Sequence, residues 1–430
     1  MEKIDIAILG LGTVGQGVVK ILQANEKLWT KKCHSSINIK KVYVRNLQKK
    51  REVELPAGVL TDNWQEIVHD PEIKVVIELM GGIEPARTYI LEALANGKHI
   101  VTANKDLLAE HGAELFNACE GKGQDIYFEA SVGGGIPIIS PLKQSLLANN
   151  IEKVMGIING TTNYILTRMS QSGLSFAKAL QEAQELGYAE ADPTADVEGL
   201  DAARKIAILS SIAFHTRIKL QDVFVEGITG ISTADINYAR ELGYTIKLLG
   251  IGTSDGKQVE VRVHPALIPL NHPLANVNDA FNAIFVKGDA VGDTMFFGRG
   301  AGQLPTASSV AGDLLEVINN LRTQSTGRLS CSCYEGRQIK PMGEIRTNYF
   351  LRILVVDRPG VLASIAGVFG NYGVSLASVV QKGHLKEEAE LAVITHQVKE
   401  KDIQDALKVI KELPITKEIV SVIRVEGVED

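Results

Sequence analysis

The first third of the chain alternates short apolar runs with amphipathic segments. KIDIAILG (3–10), INIKKVYVR (37–45), VVIELM (75–80), HIVTANK (99–105) and DIYFEAS (125–131) read as strands. TVGQGVVKILQANEKL (13–28), EPARTYILEALANG (84–97) and LLAEHGAELFNACEGKG (107–123) repeat apolar residues at helical spacing. Strand–helix alternation of this kind predicts right-handed crossovers and a mainly parallel sheet covered on both faces.

From about residue 136 the pattern changes. IPIISPLKQSLLANN (136–150) reads as a helix, IEKVMGIING (151–160) as a strand, and helical spacing then runs from Thr161 to about Ile212. VEVRVHPALIP (259–269) and NAIFVKGDAV (282–291) read as strands, and LPTASSVAGDLLEVINNL (304–321) as a strong helix with Pro305 near its start. Helices and strands segregate here, which suits an α+β layer.

Residues 322–347 lack periodicity and read as a linker. Beyond them come strand YFLRILVV, helix GVLASIAGVFGNYG, strands VSLASVVQ and AELAVITHQV, helix KDIQDALKVIKEL and strand EIVSVIRVEG. This βαββαβ order is the ferredoxin-like one. The expected division is therefore 1–135 plus the helix at about 304–321, a nucleotide-binding α/β domain; 136–303, an α+β substrate and dimerisation domain; the linker 322–347; and 348–430, a small βαββαβ domain.

Composition narrows the class. With 45% hydrophobic and 22% charged residues, 430 positions suit an ordinary globular protein of two or three domains. A net charge of −6 gives no basic footprint for nucleic acid. Neither a signal peptide nor a membrane span is expected, and a cytoplasmic location follows from that reading. The four cysteines suggest no disulfide framework: Cys331 and Cys333 are one residue apart, and Cys33 and Cys119 stand alone.

The motif GLGTVG, with Leu11, Thr13 and Val14 between Gly10, Gly12 and Gly15, follows an apolar strand and opens a helix. In that context the glycines allow a tight turn, close approach of a pyrophosphate, and helix–strand packing, with helix N–H groups facing the anion. The second strand of such a fold commonly ends in an acid that binds the ribose hydroxyls. Here Arg45 stands there, followed by Lys49, Lys50 and Arg51, which favours a 2′-phosphate and hence NADP over NAD; the alternative is a solvated basic loop.

TANK places Thr102, Asn104 and Lys105 at the carboxyl end of a strand, where ligands bind in open α/β sheets, so Lys105 is either a site residue or an exposed loop lysine. The glycine run EASVGGGIP (129–137) is a flexible turn, a close approach to a small molecule, or a carbonyl cage for a monovalent cation. The hydroxyls of NGTTNY (159–164) either cap a helix or meet a ligand. In GYAEADPTADVEGLDAARK, Asp201 and Lys205 are spaced i,i+4 and share a helix face. That is a surface ion pair or, because the helix continues as the apolar KIAILSSIAF, an ammonium placed where burial demands a purpose.

GLGTVG, VTANKDLLA, EASVGGGIPII, NGTTNYIL, LGYAEADPTADVEGLDAARK, GRGAGQLPTASSV and the tail LRILVVDRPGVLASIAGVFGNYGVSLASV together resemble the homoserine dehydrogenase family, in its monofunctional bacterial form with a C-terminal ACT domain. The resemblance spans essentially the whole chain, and its most specific block is YAEADPTADVEGLDAARK.

The resemblance implies a Rossmann-type domain, a catalytic and dimerisation domain, an ACT domain, and reversible NAD(P)H-dependent reduction of L-aspartate 4-semialdehyde to L-homoserine. It implies Lys205 as proton donor and acceptor, Lys105 as the second active-site lysine, Glu190 on the substrate ammonium, and Asp201 beside Lys205 with Asp196 in support. Thr162 and Tyr188 complete the pocket, Gly187 and Gly302 border the nicotinamide, and the main-chain carbonyls of Glu129, Val132, Gly134 and Ile136 hold a sodium ion. Asp192 and Glu198 are left to solvent or capping. NADP(H) is the expected cofactor, with NAD(H) as the alternative. In the tail, Asp357 to Gly360 open a helix whose N–H groups suit an α-carboxylate, with Asn371 nearby, so threonine is the expected effector of a homodimer or homotetramer; the alternative is a tail that only mediates oligomerisation.

Two alternatives remain. A semialdehyde dehydrogenase forming a thioester needs an activated cysteine, and neither Cys33 nor Cys119 sits in such a setting. A non-catalytic amino-acid sensor has no need of Lys105, Glu190, Asp201 and Lys205 together.

Overall fold

The computed structural model describes residues 2–327, 331–383 and 388–427. The chain forms two compact units, Met1–Val154 with Arg204–Gln221 and Asn282–Gly336, and Met155–Ala203 with Asp222–Phe281 and Arg337–Asp430.

The first unit is built on β1 (Glu2–Leu9), α1 (Thr13–Cys33), β2 (Ser35–Tyr43), β3 (Leu60–Thr61), α2 (Gln65–Val68), β4 (Ile73–Glu78), α3 (Ala86–Ala95), β5 (His99–Thr102), α4 (Lys105–Cys119) and β6 (Ile126–Tyr127). The six strands are parallel in the order β3-β2-β1-β4-β5-β6, so the direction of winding reverses between β1 and β4. Ile6, Ala7, Ile8 and Leu9 are all fully buried, as expected of a strand covered on both faces. The helix Gln303–Thr323 supplies part of that cover. Its apolar stripe Ala307, Val310, Ala311, Leu314 and Ile318 joins Val18, Leu22 and Trp29 of α1 in one core. A side chain at Gly17 would meet the Gln303 carbonyl oxygen at 2.7 Å, so this helix pairing needs glycine there.

One sequence expectation fails in this unit. Of residues 136–150 only 139–145 are helical, ending in the wide turn Pro141–Ser145. The Glu129 carboxylate takes the N–H groups of Ile138, Ile139 and Ser140 at 2.6, 2.8 and 2.7 Å, and Pro137 and Pro141 have none to give. The strand expected over 282–291 is Phe281–Gly288, and a strand not read from the sequence, Gly292–Arg299, pairs beside it.

In the second unit, helices Gly160–Ser172 and Phe176–Glu185 precede the short turn Thr194–Val197, and helix Leu200–Ala213 begins here. Strands Tyr244–Ser254 and Gln258–Pro269 form an antiparallel pair in unbroken register. The tail is the expected βαββαβ unit. Strands Arg346–Val356, Leu376–Gly383, Glu388–Thr395 and Thr416–Val425 lie in the order 4-1-3-2, all antiparallel neighbours. Helices Val361–Asn371 and Glu400–Glu412 cover this sheet, burying Ile365, Phe369, Ile403 and Ile410 against Tyr349, Leu351 and Ile353. The last strand of the tail also pairs in parallel with Gln258–Pro269, Ala266 opposite Arg424 and Leu267 opposite Val425. The tail sheet and the sheet before it are therefore one. Among the described residues no helix is long and apolar enough to cross a membrane.

Candidate active site

The glycine turn has the form its spacing predicts. Gly10 has φ +96°, and a Cβ there would lie 2.7 Å from the Leu79 carbonyl oxygen; one on Gly15 would lie 2.3 Å from that of Gly10. Gly12, the N-cap of α1, has open space where its side chain would be, and no side chain caps the helix. A phosphate has access to unshielded helix N–H groups at that point, so the residues fit a dinucleotide. Leu11 and Val14 pack into the core, and Thr13 is the exposed first residue of α1.

Arg45 is exposed just beyond β2, next to the turn because the Gly10 N–H bonds the Tyr43 carbonyl. Of the other basic residues Arg51 is already occupied: its guanidinium donates to the carbonyls of Asn46 at 2.6 Å and Lys49 at 2.7 Å, shaping the loop itself.

At the ends of β4 and β5, a network not anticipated from sequence fixes the TANK turn. Glu78, fully buried, accepts from the Thr102 hydroxyl at 2.7 Å and the Met80 N–H at 2.8 Å. Burial pushes its carboxyl above the ordinary range, and these bonds oppose that. The Thr102 oxygen accepts the Asn104 N–H at 3.1 Å, and Asn104 caps α4 by accepting from Leu107 N–H while donating to the Gly82 carbonyl at 2.6 Å. Lys105 is thereby set as the first residue of α4, half-buried. Its neighbour Asp106 pairs with Arg204 at 2.8 Å, the residue before Lys205.

The run Glu129–Ile136 is a 3-10 turn, Glu129–Ser131, followed by a tight loop. Gly133 and Gly134 have φ +74° and +55°, and a Cβ on Gly134 would meet the Gly300 carbonyl oxygen at 2.4 Å. The Ser309 hydroxyl donates to the Gly134 carbonyl at 2.7 Å, and Val132 and Ile136 are buried. The Glu129 N–H bonds Asp313 at 2.8 Å; burial raises both carboxyls above their usual range. Gly302 (φ +124°) is the N-cap of the Gln303 helix.

In the second unit the organising residue is Asn159, which sequence reading passed over in favour of the threonines beside it. Its Oδ1 accepts the Thr162 N–H at 2.9 Å and caps helix Gly160–Ser172. Its Nδ2 donates to Asp196 at 2.6 Å and Asp201 at 2.9 Å, holding two carboxylates on one amide. The Thr162 hydroxyl turns inward to Asn159 Oδ1 at 2.9 Å and is buried, whereas Thr161 donates to the Tyr188 carbonyl at 2.7 Å. Tyr188 and Glu190 are exposed on a loop starting at Gly187 (φ +75°), with the Tyr188 ring 4.9 Å from that of Tyr164. Asp192 caps the next turn through Thr194, accepting at 2.6 Å from its hydroxyl. Asp201 is buried in the first turn of helix Leu200–Ala213, and Lys205 follows one turn later, half-buried.

In the tail, Gly360 (φ +89°) is the N-cap of helix Val361–Asn371, which Asn371 ends, and Asp357 accepts a long bond from Gln381 at 3.4 Å. Among the described residues no group of three or more His, Cys, Asp or Glu side chains is arranged to hold a metal.

Three family models match the chain: the homoserine dehydrogenase NAD-binding domain over 10–129, homoserine dehydrogenase over 137–315, and the ACT domain over 349–415. The homoserine dehydrogenase of Bacillus subtilis (strain 168) is 47% identical, covering 99% of both chains, and that of Synechocystis sp. is 49% identical, covering 98% of this chain and 99% of its own. The crystal structure of a homoserine dehydrogenase from Thiobacillus denitrificans is similar over 99% of both chains, with TM-score 0.93 and 44% identity. A hyperthermophilic archaeal homoserine dehydrogenase in complex with NADPH covers 73% of this chain and 97% of its own, with TM-score 0.62 and 26% identity. The chain belongs to the homoserine dehydrogenase family of NAD(P)-dependent oxidoreductases, with NAD-binding, catalytic and ACT domains.

Proposed function

We propose that Lys205 gives the proton to the aldehyde oxygen of L-aspartate 4-semialdehyde and takes it back from L-homoserine. The bound nicotinamide supplies or receives the hydride. The observation that carries this is the Asp106–Arg204 ion pair, which fastens the chain beside Lys105 to the chain beside Lys205. A second cation, Lys105, polarises the same oxygen. Asp201, buried one turn from Lys205, orients the reacting end, with Asp196 sharing the Asn159 amide. Glu190 takes the substrate ammonium, Tyr188 closes over it, and Thr162 shapes the wall from beneath.

For the cofactor, Gly10, Leu11, Gly12, Thr13, Val14 and Gly15 hold the pyrophosphate. Thr102, Lys105, Gly187 and Gly302 border the nicotinamide, and Arg45 meets a 2′-phosphate, so NADP(H) is preferred over NAD(H). The exposed position of Arg45 and the internal use of Arg51 support this choice of residue. The carbonyls of Glu129, Val132, Gly134 and Ile136 hold a sodium ion; the bonded, glycine-shaped loop supports a fixed cage, in which the Gly134 carbonyl is shared with Ser309. The tail binds threonine at Asp357, Gly360 and Asn371. The enzyme works as a cytoplasmic homodimer or homotetramer with functional divisions 1–135 plus 304–321, 136–303, 322–347 and 348–430.

Steady-state assay with aspartate semialdehyde and NADPH tests the catalytic claim. Lys205→Ala should lose kcat by about three orders of magnitude with an unchanged circular dichroism spectrum. Retention of most activity would overturn the role. Arg45→Ala should raise KM for NADPH and leave that for NADH unchanged.

A further inference from the structure

Between α4 and helix Leu200–Ala213 the first unit holds a cavity of about 660 Å³ that the catalytic reading does not use. Its walls include Leu108, Phe116, Phe128, Ile208 and Ile212, and neither Lys105 nor Lys205 lines it. On one side stand Cys331 and Cys333, free thiols, together with Arg217 and Lys143. The Cys333 sulfur lies 3.7 Å from the Ser211 carbonyl oxygen, and Arg217 Nη2 lies 4.0 Å from the Cys331 sulfur. The Lys143 amine lies 5.9 and 5.5 Å from the centres of the Phe116 and Phe128 rings. Cys331 also lines a second, smaller cavity that Cys119 shares.

Two sulfurs separated by one residue, with a guanidinium beside one of them and both residues lining one cavity, form a chemically distinct pair. We propose that Cys331 and Cys333 are a reactive dithiol site that hydrogen peroxide converts to a Cys331–Cys333 disulfide.

Cys331 is the attacking sulfur. Hydrogen bonds from the Cys333 thiol and N–H, and the charge of Arg217, hold its thiol well below the ordinary range against the effect of burial. Burial pushes Cys33 and Cys119 the other way. The Cys331 thiolate attacks one peroxide oxygen, the O–O bond breaks, and the departing hydroxide takes a proton to leave as water. The Cys333 sulfur then attacks the resulting sulfenic acid; the S–S bond forms, the S–O bond breaks, and the hydroxyl leaves with the Cys333 proton as a second water. Two thiols are oxidised and one peroxide is reduced.

The test uses the full-length reduced protein, one equivalent of hydrogen peroxide, alkylation of remaining thiols and trypsin digestion. The peptide spanning residues 329–337, LSCSCYEGR, contains both cysteines. It should appear unalkylated and two hydrogens lighter, reverting with dithiothreitol, while Cys33 and Cys119 are alkylated. In Cys333→Ser the reaction should stop at a sulfenic acid on Cys331 that dimedone captures, with basal activity unchanged. Arg217→Met should slow iodoacetamide capture of Cys331 at about pH 6.5 roughly tenfold. Alkylation of both cysteines in the peptide after peroxide treatment, or oxidation falling first on Cys33 or Cys119, would overturn the proposal.

Discussion

Asp106 and Arg204 form an ion pair at 2.8 Å, and each is the chain neighbour of a lysine, Lys105 and Lys205. The pair is partly exposed, at 38% and 24% for the two side chains, so its contribution to stability is small, about 0–1 kcal/mol. Its consequence is positional. It joins the start of α4 to the helix that carries the proposed proton donor. In Arg204→Met the melting temperature should change by no more than about 3 °C while kcat falls about tenfold, because misplacement of reacting groups costs rate rather than folding energy. A fall in melting temperature that tracks the fall in kcat would mean the pair is only a structural brace.

Glu78 acts one step further from the chemistry. Thr102→Val removes the hydroxyl that donates to Glu78 and accepts from Asn104, leaving a buried carboxylate short of one partner. The expected cost is about 1–3 kcal/mol in urea unfolding, with kcat/KM for the nucleotide reduced. Thr102→Ser should restore both. Failure of serine to rescue would assign the effect to lost packing instead.

Asn159→Asp tests the shared amide. Aspartate keeps the helix cap, so the fold should survive. It replaces a donor with a third negative charge beside Asp196 and Asp201. Activity should fall at pH 8 and recover partly as the pH is lowered toward about 5.5, where one of the three carboxyls takes a proton. A loss independent of pH would argue against charge crowding.

His264 predicts part of the acid limb of stability. It is fully buried; Arg262 Nε donates to its Nε2 at 3.2 Å, which leaves Nδ1–H for the Pro265 carbonyl at 2.9 Å. Burial, with Arg424 and Arg262 nearby, pushes its pKa down to about 3. Between about 6.5 and 3 the unfolded chain binds a proton here that the native chain does not, so stability is lost as pH falls below 6.5. On the order of 2 kcal/mol should disappear between pH 7 and pH 5, and His264→Gln should flatten that part of the curve. Equal slopes for the two proteins in urea titrations would refute it.

Arg424 joins the tail to the rest of its unit. It bonds Glu400 twice, at 2.9 Å each, and Glu226 at 2.8 Å, and is 5% exposed. Arg424→Met leaves buried carboxylate without its cation and should cost about 3–5 kcal/mol. Adding Glu400→Gln to that variant should recover much of the loss. Additive losses would show that the pair does not interact as drawn.

Much of the fold was legible because its signals are local. Gly10, Gly12 and Gly15 each do what the spacing required, and the tail's alternation gave its six elements in order. What stayed hidden depends on contacts between distant segments. Asn159 reads locally as a cap, and nothing nearby announces the two aspartates it gathers. Glu78 looks like an ordinary strand end until Thr102 is folded against it. The expected helix over 136–150 shrinks to 139–145, where the Glu129 carboxylate takes the first N–H groups of that stretch and fixes its start. Strand Tyr244–Ser254 escaped because Gly250 and Gly252 dilute its pattern.

The pairing of Ala266 with Arg424 and Leu267 with Val425 has a practical consequence for anyone editing this enzyme. The tail is not a bead on a string that can be snipped off at residue 345. Cutting there would strip a neighbour from strand Gln258–Pro269 and bare unsatisfied backbone groups as a sticky seam. A workable graft of another regulatory module has to bring its own final strand, in the same register, to close that seam.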